Sequence, residues 1–327
     1  MQSILINDLS VDYSLTDLTS LAKSDNQAKQ LFGEFGCFLA KGLLTDEELN
    51  SVRCDIRQLI ELKMQQLGLQ KESTVNALTE FDEGFQQLSQ LEYMHGQVIK
   101  HAARLLISIH QINVNPKLVR LSKKLMSTNT LMANMLFDIR VDRPYEDEHL
   151  FPWHQDYPVI QDSEDAVVYW IPLRNVEEQD GCLQIAPGSH KLGVLPRRAR
   201  SKNEPPSVDI VDWSILRQFP HLHVPMQIGD VLVFNTLMLH ASGVNRSDRI
   251  RWTLQIRHGN FEHSKAIARG WPASMALKMP FERSHPEYII GSPLIEDTNS
   301  REQEFNPYFQ LPDELKRNAR LSTFYGG

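Results

Sequence analysis

Trp153-His154-Gln155-Asp156 sets an imidazole and a carboxylate two residues apart, and a second imidazole, His240, heads the run His240-Ala241-Ser242-Gly243. Two neutral nitrogens and one anionic oxygen form the ligand set that holds non-haem Fe(II) with coordination positions left open. On an extended strand residues i and i+2 point to one face, so His154 and Asp156 are expected side by side on a strand edge with Gln155 turned away. Tyr157-Pro158 would end that segment, and His240 would arrive from a distant strand, after Leu237-Met238-Leu239, as the third ligand. With twelve histidines in the chain, one H-x-D match carries little weight alone, and taken in isolation it is better explained as a hydrogen-bonded surface pair. Context adds weight. Arginines follow at 246, 249 and 251, and a guanidinium in the run 250–256 is costly to bury without an anionic partner. Its fork matches a carboxylate, either the far end of an organic acid chelated at the metal or a protein Asp or Glu. Arg249 and Arg251 share strand parity, so position alone does not choose between them.

Such ligands need a scaffold of short strands, and the second half of the chain has that texture. Strand candidates are 134–141, 166–173, 182–186, 223–227, 231–235 and 252–258, separated by Pro, Gly and Asp turns. Short strands so interrupted favour a sandwich or closed barrel over alternating βαβ units. The first half reads as helical. Thr45 followed three residues later by Glu48 is a capping box, and Leu49, Val52, Ile56, Leu59, Ile60 and Leu67 then form one apolar stripe. A second helix is expected over about 83–107 and a third after Asn115-Pro116, with a polar loop at 65–76 between the first two. Phe35–Leu39 reads as a short strand entering the Lys41-Gly42 turn. The expected organisation is a single domain: a helical shoulder at 45–128, a β core at 131–260, and a wrap of loop and short helix at 261–327.

Composition bounds the class of protein. The 327 residues are 41% hydrophobic and 23% charged, which suits an ordinary globular chain with a substantial core. A formal charge of −7 argues against nucleic acid or an anionic membrane as partner. Cys37, Cys54 and Cys182 have no spacing typical of a disulfide framework or zinc knuckle, and Cys182 reads as a buried small hydrophobe. No secretory signal, membrane span or SKL-type terminus is evident, so the expected setting is cytoplasmic. A small-molecule substrate is expected, with no membrane, nucleic acid or obligate protein partner.

Several of these segments together resemble the phytanoyl-CoA dioxygenase family of Fe(II)- and 2-oxoglutarate-dependent oxygenases. The matching elements run in order: WHQD at 153–156, WIPL at 170–173, GCLQIAPGSH at 181–190, GDVLVF at 229–234 and HASGVNRSDRIR at 240–251. The opening segment FGCFLAKGLLTDEEL is similar too, so the resemblance covers most of 31–260. It implies a double-stranded β-helix, a distorted jelly roll, with helices against the major sheet. It places His154, Asp156 and His240 on Fe(II), with 2-oxoglutarate and O2 as co-substrates. It also selects Arg251 for the distal carboxylate of 2-oxoglutarate and sets Gln155, Ser242 and Trp170 near that co-substrate. His190 falls in a structural loop rather than on the metal. An intact carboxylate ligand favours hydroxylation over halogenation, for which related enzymes lack that ligand. Release of succinate and CO2 would accompany oxidation of an unactivated C–H. The substrate is expected to be a small polar or amphipathic metabolite, with the polar segment 197–206 as a lid or a solvated loop. The rival readings are a non-catalytic binding or sensing protein on the same fold and a non-oxidative cupin-like metalloenzyme.

Overall fold

The computed structural model describes residues 25–69, 81–133, 138–147, 150–198, 213–270 and 281–290. A six-stranded antiparallel sheet forms the major layer: β1 (Cys37–Ala40), β8 (Val231–Asn235), β4 (Val167–Pro172) and β10 (Arg251–Asn260) lie side by side. The outer edge of β10 is shared by β3 (Asp138–Asp142) at one end and β2 (Leu131–Ala133) at the other. A smaller sheet runs in the order β7 (Leu222–Val224), β5 (Leu183–Ile185), β9 (His240–Ala241). This pair of sheets with flanking helices is a double-stranded β-helix; the two sheets do not close into a barrel.

Residue alternation sorts the side chains into two layers. On β4, Val167, Tyr169 and Ile171 join a core shared with the helices, whereas Val168 and Trp170 point between the sheets. Strand β8 divides the same way, with Val231 and Val233 outward and Leu232 and Phe234 inward. Cys182 is fully buried in the inner core.

The helices cover the outer layer. Helix α1 (Asp25–Phe35) was not expected from its polar sequence; it buries Ala28 and Phe32 and packs against β1. Helix α2 (Asp46–Gln66) starts at the expected capping box: Thr45 Oγ1 accepts from Glu48 N–H, and Glu48 accepts from Thr45 N–H. Its buried stripe is Leu49, Val52, Ile56, Ile60 and Met64. The single helix expected over 83–107 is instead broken into α3 (Phe85–Leu91) and α4 (Tyr93–Ala103), with α5 (Ile107–Asn113) after them. Glu92, in extended conformation, makes the break; apolar spacing does not report a one-residue kink. Helix α6 (Pro116–Met126) is capped by Asn115, as Pro at its first position implied.

A buried polar chain ties these helices to the sheet. Ser122 of α6 meets Tyr169 Oη at 2.6 Å and His258 Nδ1 at 2.7 Å, and His258 Nε2 reaches Asn113 O at 2.8 Å. No helix among the described residues is long and apolar enough to cross a membrane. Most of the expected C-terminal wrap, and positions 199–206, lie outside the described residues. Arg197–Arg198 instead begin that segment as a two-residue parallel pairing with Ile289–Ile290, and Arg197 stacks over Phe281.

Candidate metal centre

His154 and His240 form a bridge that extends the small sheet, their backbones exchanging hydrogen bonds of 3.0 and 3.1 Å. Asp156 is not extended, contrary to the strand-edge expectation. Its φ of −71° and ψ of −35° begin the helical turn Tyr157–Ile160, so the extended segment stops one residue earlier than Tyr157-Pro158. The amides of Asp156 and Tyr157 both donate to Thr236 O, at 3.0 and 3.1 Å, and this fold-back turns the carboxylate toward the two rings. Asp156 Oδ1 lies 3.5 Å from His154 Nε2 and 3.8 Å from His240 Nε2. All three residues are buried, with one ligand atom from each within 4.8 Å of the others.

The ring hydrogens follow from what the rings touch. His154 Nδ1 donates to Pro152 O at 2.7 Å, and His240 Nδ1 donates to Met238 O at 3.0 Å. A carbonyl only accepts, so each neutral ring keeps its hydrogen on Nδ1 and turns a bare Nε2 lone pair toward Asp156. Burial, and then the neighbouring His154, push His240 down to about 3, which keeps it neutral and able to ligate. Burial opposes ionisation of Asp156, but the Arg257 guanidinium beside it holds its carboxyl well below the ordinary range. Phe151 lies against the His154 ring and Phe234 against His240, so aromatic walls flank both imidazoles.

Arg251 opens β10 and is 3% exposed. Its Nη2 pairs with Asp142 Oδ2 at 2.8 Å, Nη1 reaches Gly243 O at 3.4 Å, and Nε is buried with no hydrogen-bond partner. Asp142 is shared with Arg140, Nη2 to Oδ1 at 2.5 Å, and the two guanidinium groups overcome burial to keep it ionised. Two arginines on one carboxylate leave a net positive charge. Gly181 makes room for Arg251, and Gly243 for the backbone of Gly181 and Cys182 beside it. A Cβ on Gly181, at φ +77°, would stand 2.8 Å from its Nη1, and one on Gly243 would stand 2.1 Å from Cys182 O. Arg249 pairs with Asp180 and Arg246 with Asp147 at the surface, away from this interior.

The other expected pocket residues divide. Trp170 is buried between the sheets, with the Arg251 guanidinium 6.0 Å from its ring centroid. Gln155 is committed elsewhere: its amide donates to Gly193 O and Leu237 O, and its carbonyl accepts from Leu195 N–H. Ser242 Oγ accepts from Phe151 N–H at 3.1 Å, anchoring the segment that carries His154. His190 Nε2 faces Gly33 O at 3.3 Å, away from the three ligands.

Arg140, Asp142, Thr253, Arg257 and Asp162 were missed in the sequence. Thr253 and Arg257 share the parity of Arg251, so that signal was available. Arg257 Nε donates to Asp156 Oδ2 at 2.8 Å. Thr253 Oγ1 is buried with no partner. Asp162, packed against Gly259, is pushed up to about 7 by burial.

Comparison with known proteins is consistent with this architecture. The family model for phytanoyl-CoA dioxygenase (PhyH) matches residues 32–253. A Caenorhabditis elegans protein described as "Probable phytanoyl-CoA dioxygenase" is 22% identical over 255 residues, covering 72% of this chain and 75% of the relative. The 1-deoxypentalenic acid 11-beta-hydroxylase of Streptomyces arenae is 35% identical over 111 residues, 31% of this chain and 37% of its own. Among solved structures, the epimerase SnoN, in complex with Fe3+, alpha ketoglutarate and nogalamycin RO, superposes with a TM-score of 0.51 at 17% identity. That match covers 72% of this chain and 83% of SnoN, and it shows a shared fold.

Proposed function

The chain belongs to the phytanoyl-CoA dioxygenase family, and from that premise we propose an Fe(II)- and 2-oxoglutarate-dependent dioxygenase that hydroxylates an unactivated C–H of a small polar or amphipathic metabolite. The observation that carries this reading is the convergence of two bare imidazole Nε2 atoms on Asp156 Oδ1. Two neutral nitrogens and one anionic oxygen suit Fe(II) better than Mg(II) or Ca(II), which prefer oxygen alone. Arg251 Nε and Thr253 Oγ1, buried without partners on one face of β10, fit the carboxylate of an organic acid.

When bound, the iron and 2-oxoglutarate supply the oxygen-activating redox chemistry, with succinate and CO2 released. The chain supplies aim. Backbone carbonyls fix both imidazoles, Asp142 orients Arg251, and Trp170 walls the interior beside it. Phe151 and Phe234 shield the rings from water, which strengthens every charge interaction within. The net positive charge of the Arg140–Asp142–Arg251 group favours an anionic organic acid at that end of the interior.

The test is succinate release by Fe(II)-reconstituted protein given 2-oxoglutarate and O2, with Asp156→Ala as control. The proposal expects turnover that depends on Asp156 and accelerates with the true substrate, whose product gains one oxygen atom. A product that loses two hydrogens instead would overturn hydroxylation while leaving the oxygenase assignment in place. Near-normal succinate release by Asp156→Ala would overturn the assignment itself.

A further inference from the structure

We infer that Arg257 is a positioning residue for the metal-binding carboxylate: it takes Oδ2 of Asp156 so that Oδ1 alone is presented to the metal. This rests on the metal reading given above. The two oxygens of Asp156 have different surroundings. Oδ1 stands 3.5 and 3.8 Å from the Nε2 atoms of His154 and His240, while Oδ2 accepts from Arg257 Nε at 2.8 Å. Both side chains of the ion pair are only 8% exposed, so solvent does little to loosen it.

Arg257 is itself held. Its Nη2 donates to Gln255 Oε1 at 3.0 Å, two residues back on the same face of β10. Its backbone sits in the middle of the major sheet, opposite Val168 of β4. A guanidinium fixed at both ends sets the plane of the carboxylate it grips, and a hydrogen bond on one oxygen leaves the other as the better-placed and stronger ligand. One-oxygen ligation keeps an additional metal position open compared with two-oxygen ligation. The same grip keeps Asp156 aimed before metal arrives, which is the preorganisation that partners of metal ligands supply. A purely structural role explains the geometry less well. Buried ion pairs add little net stability over apolar packing of the same volume, so retaining this one on the inner face calls for a second purpose.

Arg251 and Arg257 therefore divide the labour of one strand face, six residues apart: one for the organic acid, one for the metal ligand.

The experiment is an anaerobic titration of metal-free protein with Co(II), reading both affinity and the visible d–d absorption, which reports coordination number. Wild type, Arg257→Gln, Arg257→Lys and Asp156→Ala are compared, with circular dichroism to establish folding. Arg257→Gln is expected to bind Co(II) about 10- to 100-fold more weakly, the usual cost of losing a partner of a ligand, with altered band intensity. Arg257→Lys is expected between the two, because an ammonium keeps the charge and loses the fixed fork. Wild-type affinity and spectrum in Arg257→Gln would overturn the role of Arg257. If Arg257→Gln does not fold, Arg257→Lys decides: a several-fold loss supports the role and wild-type behaviour overturns it. A wild-type signal that Asp156→Ala leaves intact would overturn the metal site itself, and Arg257's role with it.

Discussion

The two faces of β10 differ sharply in what they carry. Toward the helices it presents Trp252, Leu254 and Ile256, all fully or almost fully buried in the outer core. Toward the small sheet it presents Arg251, Thr253, Gln255 and Arg257, where charge and unpartnered donors accumulate. One backbone holds both sets in register. A side chain on the outer face can affect the chemistry only by moving the strand, whereas one on the inner face touches the site directly. The outer face is a stability device, with Trp252 edge-on to Phe81 and Phe85 and its Nε1–H donating to Asp82. The inner face tolerates buried charge because each guanidinium has an anionic partner, Asp142 for Arg251 and Asp156 for Arg257.

Substitutions on each face separate these roles. The largest effect is expected from Asp156→Asn, which leaves an acceptor for Arg257 and removes the anionic ligand. Succinate release should fall to the level of metal-free protein, and the thermal midpoint should fall as well because the buried Arg257 loses its anionic partner. On the opposite face, Trp252→Ala should cost about 3–5 kcal/mol in urea unfolding, through a cavity and the loss of a buried ring, while folded protein still binds metal. Loss of metal binding without loss of stability would break the division between the faces. Arg251→Ala should weaken 2-oxoglutarate binding about 10- to 100-fold, matching the roughly 1.5–3 kcal/mol of a charge-assisted hydrogen bond. Calorimetry checks it, and unchanged affinity would remove Arg251 from the co-substrate.

A smaller effect tests the far end of the inner face. Asp162 has its carboxyl raised from the ordinary 3.8 to about 7, first by burial. Folding then favours its protonated form, so its contribution is complete below 3.8 and lost as pH rises through 7. Wild type should gain a few degrees of thermal midpoint over Asp162→Asn on acidification from pH 8 to pH 6, and parallel profiles would contradict this. The smallest effect is expected on the covering layer. Thr45→Ala should cost about 1 kcal/mol by removing the cap of α2, with metal affinity unchanged.

The contrast between the faces also explains what could be read from the chain beforehand. Strand positions were legible because Val167–Pro172 and Val231–Asn235 are dense apolar runs between turns. Helix α2 was legible through its cap and stripe. The residues His154, Asp156, His240 and Arg251 stood out because motif order and residue type single them out, and the fold brings the first three together. What was hidden depends on contacts between distant segments. Asp142 and Arg140 gain meaning only by pairing with Arg251 across β3 and β10. Arg257 does so only because Thr236 folds Asp156 back toward it. Gln155 and Ser242 lie within two residues of candidate metal ligands in sequence, and their side chains bond loop backbone, a direction that sequence proximity does not report.

The central claim is that the inner face assembles an iron and 2-oxoglutarate site. Its most direct test is an anaerobic titration of metal-free protein with Fe(II) and 2-oxoglutarate, following the visible charge-transfer absorption of the chelate. A saturable band that Asp156→Ala abolishes and Arg251→Ala shifts to higher 2-oxoglutarate concentration is the predicted result. Folded, iron-binding protein that shows no band, or a band indifferent to Asp156, would contradict the account.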